Sequence, residues 1–176
     1  GVSAGCGQGV GHGVALGSDH DSYHHRHPAG REAHLEEPLS VDGCIFCEIV
    51  RGEAPAHKVH EDEHTLTILD AFPASEGHVL VITREHYENI HEIPAPTLCA
   101  VAAQSKRVAA AVRAELSPDG MGIYQLNGTA AGQTVGHYHM HVIPRTEGQK
   151  RGVHGRAPAN DDKQKELAAR LKAALK

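Results

Sequence analysis

The sequence predicts an α+β fold: a sheet of about five mainly antiparallel strands, one long helix, a short N-terminal helix and a C-terminal helical extension. Two patterns carry that expectation. Short runs, 65–70 and 136–145, alternate side chains with the period of a strand, and one run, 97–116, repeats its apolar residues every three or four positions, the period of a helix. A third observation sets the class: helical and strand segments do not succeed one another as βαβ units, so a parallel sheet is not expected.

Composition divides the chain into three parts. The 176 residues are 40% hydrophobic, enough to bury a core, but that content is unevenly spread. Residues 1–40 hold eight of the nineteen glycines, six of the sixteen histidines and almost no large apolar side chains. Such a segment buries too little to offset the entropy of ordering and reads as a disordered extension. Within it His20, His24, His25, His27 and His34 make either a solvated tail or a weak metal-binding tract. It has neither the basic opening nor the apolar run of a signal peptide. The chain starts without Met, and Val41 fits a GUG-type start, which would make 1–40 an added extension. Residues 41–146 read as the folded domain and 147–176 as a C-terminal extension.

The charge of -5 argues against a nucleic-acid polymer as the main partner, because duplex binding neutralises many phosphates with clustered Lys and Arg. Small anions remain open. No transmembrane stretch is present in the sequence. Four cysteines, two of them spaced Cys-x-x-Cys, fit a reducing cytoplasm better than a disulfide scaffold, and Cys6 and Cys99 have no partner evident from sequence.

From residue 44 the elements follow in order. Residues 44–50 read as a short helical turn ended at Gly52 and Pro55, with the sulfurs of Cys44 and Cys47 on one side, within reach of one metal. Residues 58–61 and 65–70 read as two strands around Asp62, Glu63 and His64. Leu66, Ile68 and Asp70 alternate there against Thr65, Thr67 and Leu69, as in a half-buried antiparallel pair. Residues 77–83 make the next strand, and 85–93 a short helical link stopped by Pro94 and Pro96. In 97–116, Leu98, Val101, Ala102, Ser105, Val108, Ala109, Val112 and Leu116 form one apolar stripe opposite Lys106, Arg107, Arg113 and Glu115, so this helix should lie across the sheet. Its stop is Ser117-Pro118-Asp119-Gly120, after which 122–126 and 137–144 complete the sheet. The tail is polar to about residue 158. Asn160 then caps a helix with Asp161 and Asp162 at its positive end and Lys172 and Lys176 at its negative end. Its stripe of Leu167, Leu171 and Leu175 should dock on the body or on a second subunit, since a free helix of this length is marginal.

The chemistry concentrates at 136–145, which reads Gly-His-Tyr-His-Met-His-Val-Ile-Pro-Arg. A strand turns successive side chains to opposite faces, so His137, His139 and His141 share one face and Tyr138, Met140 and Val142 the other. Neighbouring histidines stand about 6.5 Å apart by strand rise. That suits a central histidine reacting with a bound group while its partners touch the same group or orient the ring. Two readings are open: a zinc site and nucleophilic catalysis by imidazole. Residues 127–135, rich in glycine and small side chains, either turn backbone N–H groups toward an anion or make an ordinary hairpin connection.

Three stretches together resemble the histidine triad (HIT) family of nucleotide hydrolases and transferases: Gly77-His78-Val79-Leu80-Val81-Ile82; Asn127 with Ala131-Gly132-Gln133-Thr134-Val135; and His-x-His-x-His at 137, 139 and 141. The resemblance runs from Cys44-Ile45-Phe46-Cys47 through Arg145 and is nearest the bacterial branch with a Cys-x-x-Cys pair near its start.

The resemblance implies a HIT-like fold, usually a homodimer. It also implies hydrolysis or transfer at the α-phosphorus of a small nucleotide, adenosine-containing by family preference: a nucleoside phosphoramidate, a dinucleoside polyphosphate or a related adenylate. His139 would be the nucleophile of a nucleotidyl-histidine intermediate, its ring held by a backbone carbonyl near His137. His141, Asn127, Gln133, Thr134 and the backbone of Gly132 would bind phosphate oxygens, and His78 would lie near the leaving group. Asp70, with Ala71 behind it, would hold the ribose hydroxyls. Phe46, Ile49 and Leu69 would wall the base, or equally well be ordinary core. Relatives with the cysteine pair imply a structural zinc on Cys44, Cys47, His86 and His137, and no organic cofactor. The transferase branch carries glutamine at the position of His141, so hydrolysis is expected. Other readings are a nucleotide-binding regulatory protein with little turnover, a nucleotidyltransferase, and an enzyme with zinc on His137, His139 and His141 together.

Overall fold

The computed structural model describes residues 41–149 and 152–175. The expectations for 1–40, including the histidine tract and Cys6, and for Lys176 lie outside the described residues.

The first helix, α1 (Ile45–Arg51), follows an extended Cys44 and ends at Gly52, whose φ of 78° is the left-handed conformation that glycine adopts without steric cost. It buries Phe46, Cys47 and Ile49. The five strands are β1 (Lys58–Glu61), β2 (Thr65–Leu69), β3 (Val79–Thr83), β4 (Gly120–Tyr124) and β5 (His139–Arg145), in the spatial order β1-β2-β3-β5-β4. Every neighbouring pair is antiparallel, as predicted. The histidine strand β5 is therefore an inner strand, clamped between β3 and β4.

Both faces of the sheet are covered, which corrects the reading of 65–70 as half-buried: all five residues of β2 are buried. On one face Leu66, Ile68, Leu80 and Ile82 pack under Phe46 and Ile49 of α1. On the other, Val79, Val81, Tyr138 and Val142 pack against Val101, Val108 and Val112 of the long helix α2 (Ala95–Leu116) and Leu167 and Leu171 of α3 (Asp161–Ala174). Buried Gln104 of α2 donates to Thr67 Oγ1 at 3.2 Å.

Three local expectations change. Helix α2 starts at Ala95, with Pro94 as its N-cap and Pro96 in its first turn, where a missing N–H costs no hydrogen bond; the prolines begin this helix. Its buried stripe is Val101, Gln104, Ser105, Val108, Ala111 and Val112, while Ala102 is exposed, because the helix is rolled slightly from the orientation that apolarity alone suggests. Residues 85–93 are not helical. Their backbone groups bond elsewhere: Tyr87 O accepts from Tyr138 N, Glu88 O from Gln133 Nε2, and Ile90 N donates to Asn127 Oδ1, so long-range partners displace the helical ladder.

The C-terminal helix docks on the body. Asn160 Oδ1 caps it by accepting from Lys163 N, and Leu167, Leu171 and Leu175 are buried. Gln164 Nε2 donates to Asp70 O at 2.8 Å, His57 Nε2 lies 2.9 Å from Asp161 Oδ1, and Arg107 donates to Leu175 O. Among the described residues no helix is long and apolar enough to cross a membrane.

Candidate active site

Cross-strand pairing places the histidines. Within β5, His139 and His141 stand opposite Ile82 and Leu80 of β3, and residues directly opposite share a face, so both rings lie on the α1 side of the sheet. Met140 and Val142 point to the helical side, as the alternation requires. His137 precedes the strand proper but stays in the row. Phe46 of α1 meets His137 and His139 edge-on, with ring centroids 5.8 and 5.1 Å away, and His139 meets His141 at 4.8 Å.

Hydrogen-bond partners assign the ring protons. His139 Nδ1 lies 2.6 Å from His137 O, and a carbonyl only accepts, so Nδ1 holds the proton and Nε2 keeps its lone pair. A relay fixes His141. Ala74 N–H donates to His78 Nδ1 at 3.1 Å, which leaves the His78 proton on Nε2, 2.9 Å from His141 Nδ1. His141 Nδ1 therefore accepts, and His141 Nε2 carries a proton with no protein partner among the described residues. Asp70 Oδ2 stands 3.3 Å from His78 Nδ1, but that nitrogen is already accepting from Ala74, so the pair is a polar contact between a carboxylate and a neutral ring. The row thus exposes one lone pair, on His139, beside one N–H donor, on His141.

Burial enforces these neutral states. It lowers His139 from its ordinary value, His78 to about 3 and His141 to about 2, with neighbouring histidines adding to the last two shifts. The sign for stability follows. Above pH 6.5 folded and unfolded chains hold His78 and His141 largely neutral; below it the unfolded chain takes up protons that the folded one refuses, so stability falls as pH falls. The limiting slope is about 1.4 kcal/mol per pH unit for each ring. Chemical denaturation at pH 6.5 and at pH 5.0, still above most carboxylate titrations, is expected to show a clear loss; equal stability at the two values would contradict the neutral relay.

Beside the row sits a second cluster. Cys44 Sγ, Cys47 Sγ, His86 Nδ1 and His137 Nδ1 all lie within 4.8 Å of one another. The contacts Cys44 to His137, Cys47 to His86 and Cys47 to His137 are 3.4, 3.4 and 3.5 Å. A tetrahedral zinc with ordinary Zn–S and Zn–N bonds has S···N edges of about 3.6 Å, so the donor set fits one ion. His137 Nε2, 2.8 Å from Thr83 O, is the protonated nitrogen, which turns the Nδ1 lone pair toward the sulfurs. Val41 N–H donates to Cys47 Sγ, a bond that favours thiolate, while burial pushes that thiol up.

A cavity of about 630 Å³ opens against the row. Its apolar part includes Ile45, Phe46, Ile49, Ile68, Leu69 and Leu80; its polar part includes Asp70, Thr134, His139, His141 and His154. Of the residues singled out in the sequence, Phe46, Ile49, Leu69, Asp70, Ala71, Thr134, His139 and His141 line it. His78 lies behind His141, and His137 and His86 belong to the sulfur cluster. Asn127 and Gln133 do not line it. Asn127 is bonded to Gln125 and Ile90 N, and Gln133 to Gly128 N, Glu88 O and Val135 O, so both brace the loop. Gly132 does not line it either; its carbonyl accepts from His154, which does. Sequence reasoning missed His154, His57 and Phe72, which also line it; His154 sits in a polar tail with no periodicity to mark it.

An open antiparallel sheet with a histidine row on an inner strand and a sulfur–imidazole cluster beside it defines a class of α+β protein, and the comparisons say which. A family model for the HIT domain matches residues 51–148. The chain belongs to the HIT family, a family of nucleotide-binding proteins that includes hydrolases. An uncharacterized HIT-like protein of Methanocaldococcus jannaschii is 46% identical over 105 residues, covering 60% of this chain and 81% of that one. A Zn-bound histidine triad protein from Mycobacterium smegmatis superposes with a TM-score of 0.67 at 40% identity, covering 76% and 93%. The adenylylsulfatase HINT3 of Arabidopsis thaliana is 37% identical over 113 residues, 64% of this chain and 57% of that protein.

Proposed function

We propose that this chain hydrolyses a small nucleotide at its α-phosphorus, with His139 as nucleophile. The observation that carries the reading is the proton assignment: an unprotonated Nε2 on His139 beside a protonated Nε2 on His141, at a cavity with an apolar end and a polar end. A base enters against Phe46 and Ile49, and Asp70 accepts from the ribose hydroxyls. The α-phosphate then sits over His139. Its Nε2 attacks phosphorus, the P–N bond forms as the bond to the leaving group breaks, and His141 N–H offsets charge on an equatorial oxygen. Water then attacks the nucleotidyl-histidine, releasing the monophosphate and restoring the ring. The His137 carbonyl holds His139 Nδ1–H through both steps and stabilises the positive charge that the ring develops.

Cys44, Cys47, His86 and His137 would hold a structural zinc, whose chemistry here is to tie α1 to the start of the histidine strand; the Zn-bound relative supports that reading. Retention of these thiols suits a reducing compartment such as the cytoplasm. The solvent-facing edge of β4, where Ile123 is exposed, supports the expected homodimer by strand pairing.

The test is release of AMP from adenosine 5'-phosphoramidate, adenosine 5'-phosphosulfate and a diadenosine polyphosphate, with denaturing capture of radiolabelled nucleotide on the chain. Turnover of at least one substrate with label on His139 is expected. Tight AMP binding without AMP release from any of them would make the chain a binding protein.

A further inference from the structure

The cavity has a wall contributed by the segment that follows the histidine strand. Arg145 donates to Gly152 O, Gly155 N donates to Phe72 O at 2.9 Å, and Ala159 N donates to Ala71 O at 2.9 Å, just before Asn160 caps α3. Residues 152–160 therefore form a strap bonded along the 71–73 rim. Gly155 is required for this: a Cβ there would stand 2.2 Å from Pro73 O and 2.6 Å from Phe72 O. The strap delivers His154 to the cavity. Its Nε2 lies 2.8 Å from Gly132 O, and its ring meets His141 edge-on, with centroids 5.5 Å apart at 79°. Since the carbonyl only accepts, Nε2 holds a proton, and Nδ1 is the position at which the ring can receive a second.

An anionic substrate meets few cations here. Among the described residues no Lys or Arg lines the cavity. His139 and His141 are buried with their protons assigned, and His57 is bonded to Asp161. His154 is an exposed lining ring that extends the sequence of ring contacts Phe46, His139, His141 by one member.

We propose that His154 contacts the leaving group, donating from Nδ1 to an oxygen of the β-phosphate or sulfate, and so selects nucleotides whose leaving group is anionic. The proposal rests on the hydrolase reading above, and it makes the tail after the histidine strand part of the substrate site. The α-phosphate and the base do not need His154. Removing it should therefore split substrates by leaving group, where the loss of a mere wall would lower all of them together.

The experiment compares kcat/KM of the intact chain, His154→Ala and Gly155→Ala on adenosine 5'-phosphoramidate, whose leaving group is ammonia, with adenosine 5'-phosphosulfate and a diadenosine polyphosphate. Both variants are expected to lose on the order of 10- to 100-fold on the two anionic leaving groups, the span of a charge-assisted hydrogen bond, and under about threefold on the phosphoramidate. In the His139→Gly background, His154→Ala should weaken ADP about tenfold and leave AMP unchanged. Equal losses on all substrates, or no loss on any, overturn the proposal. If the intact chain binds AMP and ADP but turns over nothing, the hydrolase reading fails and the ADP-to-AMP comparison still decides His154. If it binds neither, both readings fall.

Discussion

Replacing His139 with glycine is expected to lower kcat for release of the nucleoside monophosphate by about four orders of magnitude or more, with AMP affinity kept within about tenfold. Size and selectivity both follow from the geometry. Only this ring of the row has a lone pair on the cavity side, because the His137 carbonyl holds its other nitrogen at 2.6 Å. Neither His141 nor His78 can substitute. The first presents N–H, and the second spends both nitrogens on Ala74 and His141. Glycine also leaves a ring-sized gap against Phe46, 5.1 Å from the His139 centroid, into which free imidazole should fit and restore part of the rate. Full turnover by the glycine variant would show that a water attacks directly and would remove the covalent step.

The second large effect is expected at the sulfur cluster. The intact chain should bind close to one zinc, and Cys44→Ala with Cys47→Ala should bind less than a tenth of that. Loss of a structural metal is among the few single-site changes that cost about 4 kcal/mol or more, so the melting temperature should drop for the variant and for the intact chain with a strong chelator. Activity should fall as well, by about 10- to 100-fold, the usual cost of disturbing the groups that orient a reacting ring. The route is short: His137 faces Cys44 and Cys47 through Nδ1, and its own carbonyl holds His139. A metal-free variant with unchanged melting and unchanged kcat would show that the cluster is only a packed pair of thiols and imidazoles.

These two effects depend on different kinds of information. The faces of the histidine strand, the long helix with an apolar stripe to lay across the sheet, and the capped C-terminal helix were legible because each follows from side chains within a few positions of one another. A period of two or of about three and a half is imposed by backbone geometry whatever lies around it. The family resemblance added named candidates, most of which line the cavity or the sulfur cluster. Local reading failed where distant groups compete for the backbone. The 85–93 stretch has helical composition, yet Asn127, Gln133 and Tyr138 take its amides and carbonyls. The loop side chains Asn127 and Gln133, natural phosphate donors by type, are engaged by that same bracing.

What the sequence by itself determined is which residues share a face and which chemistry they can offer: three imidazoles in a row, two thiols on one turn, a helix that needs an apolar partner. What only the tertiary structure decided is which nitrogen of each ring carries a proton and which residues meet across the chain. His86 and His137 join sulfurs 39 and 90 positions away, and His154 reaches the cavity because a glycine lets its strap touch the Phe72 and Pro73 carbonyls. The physical reason is that periodicity is a property of one segment, whereas a proton goes to whichever donor or acceptor stands opposite, and that partner is chosen by the packing of the whole domain.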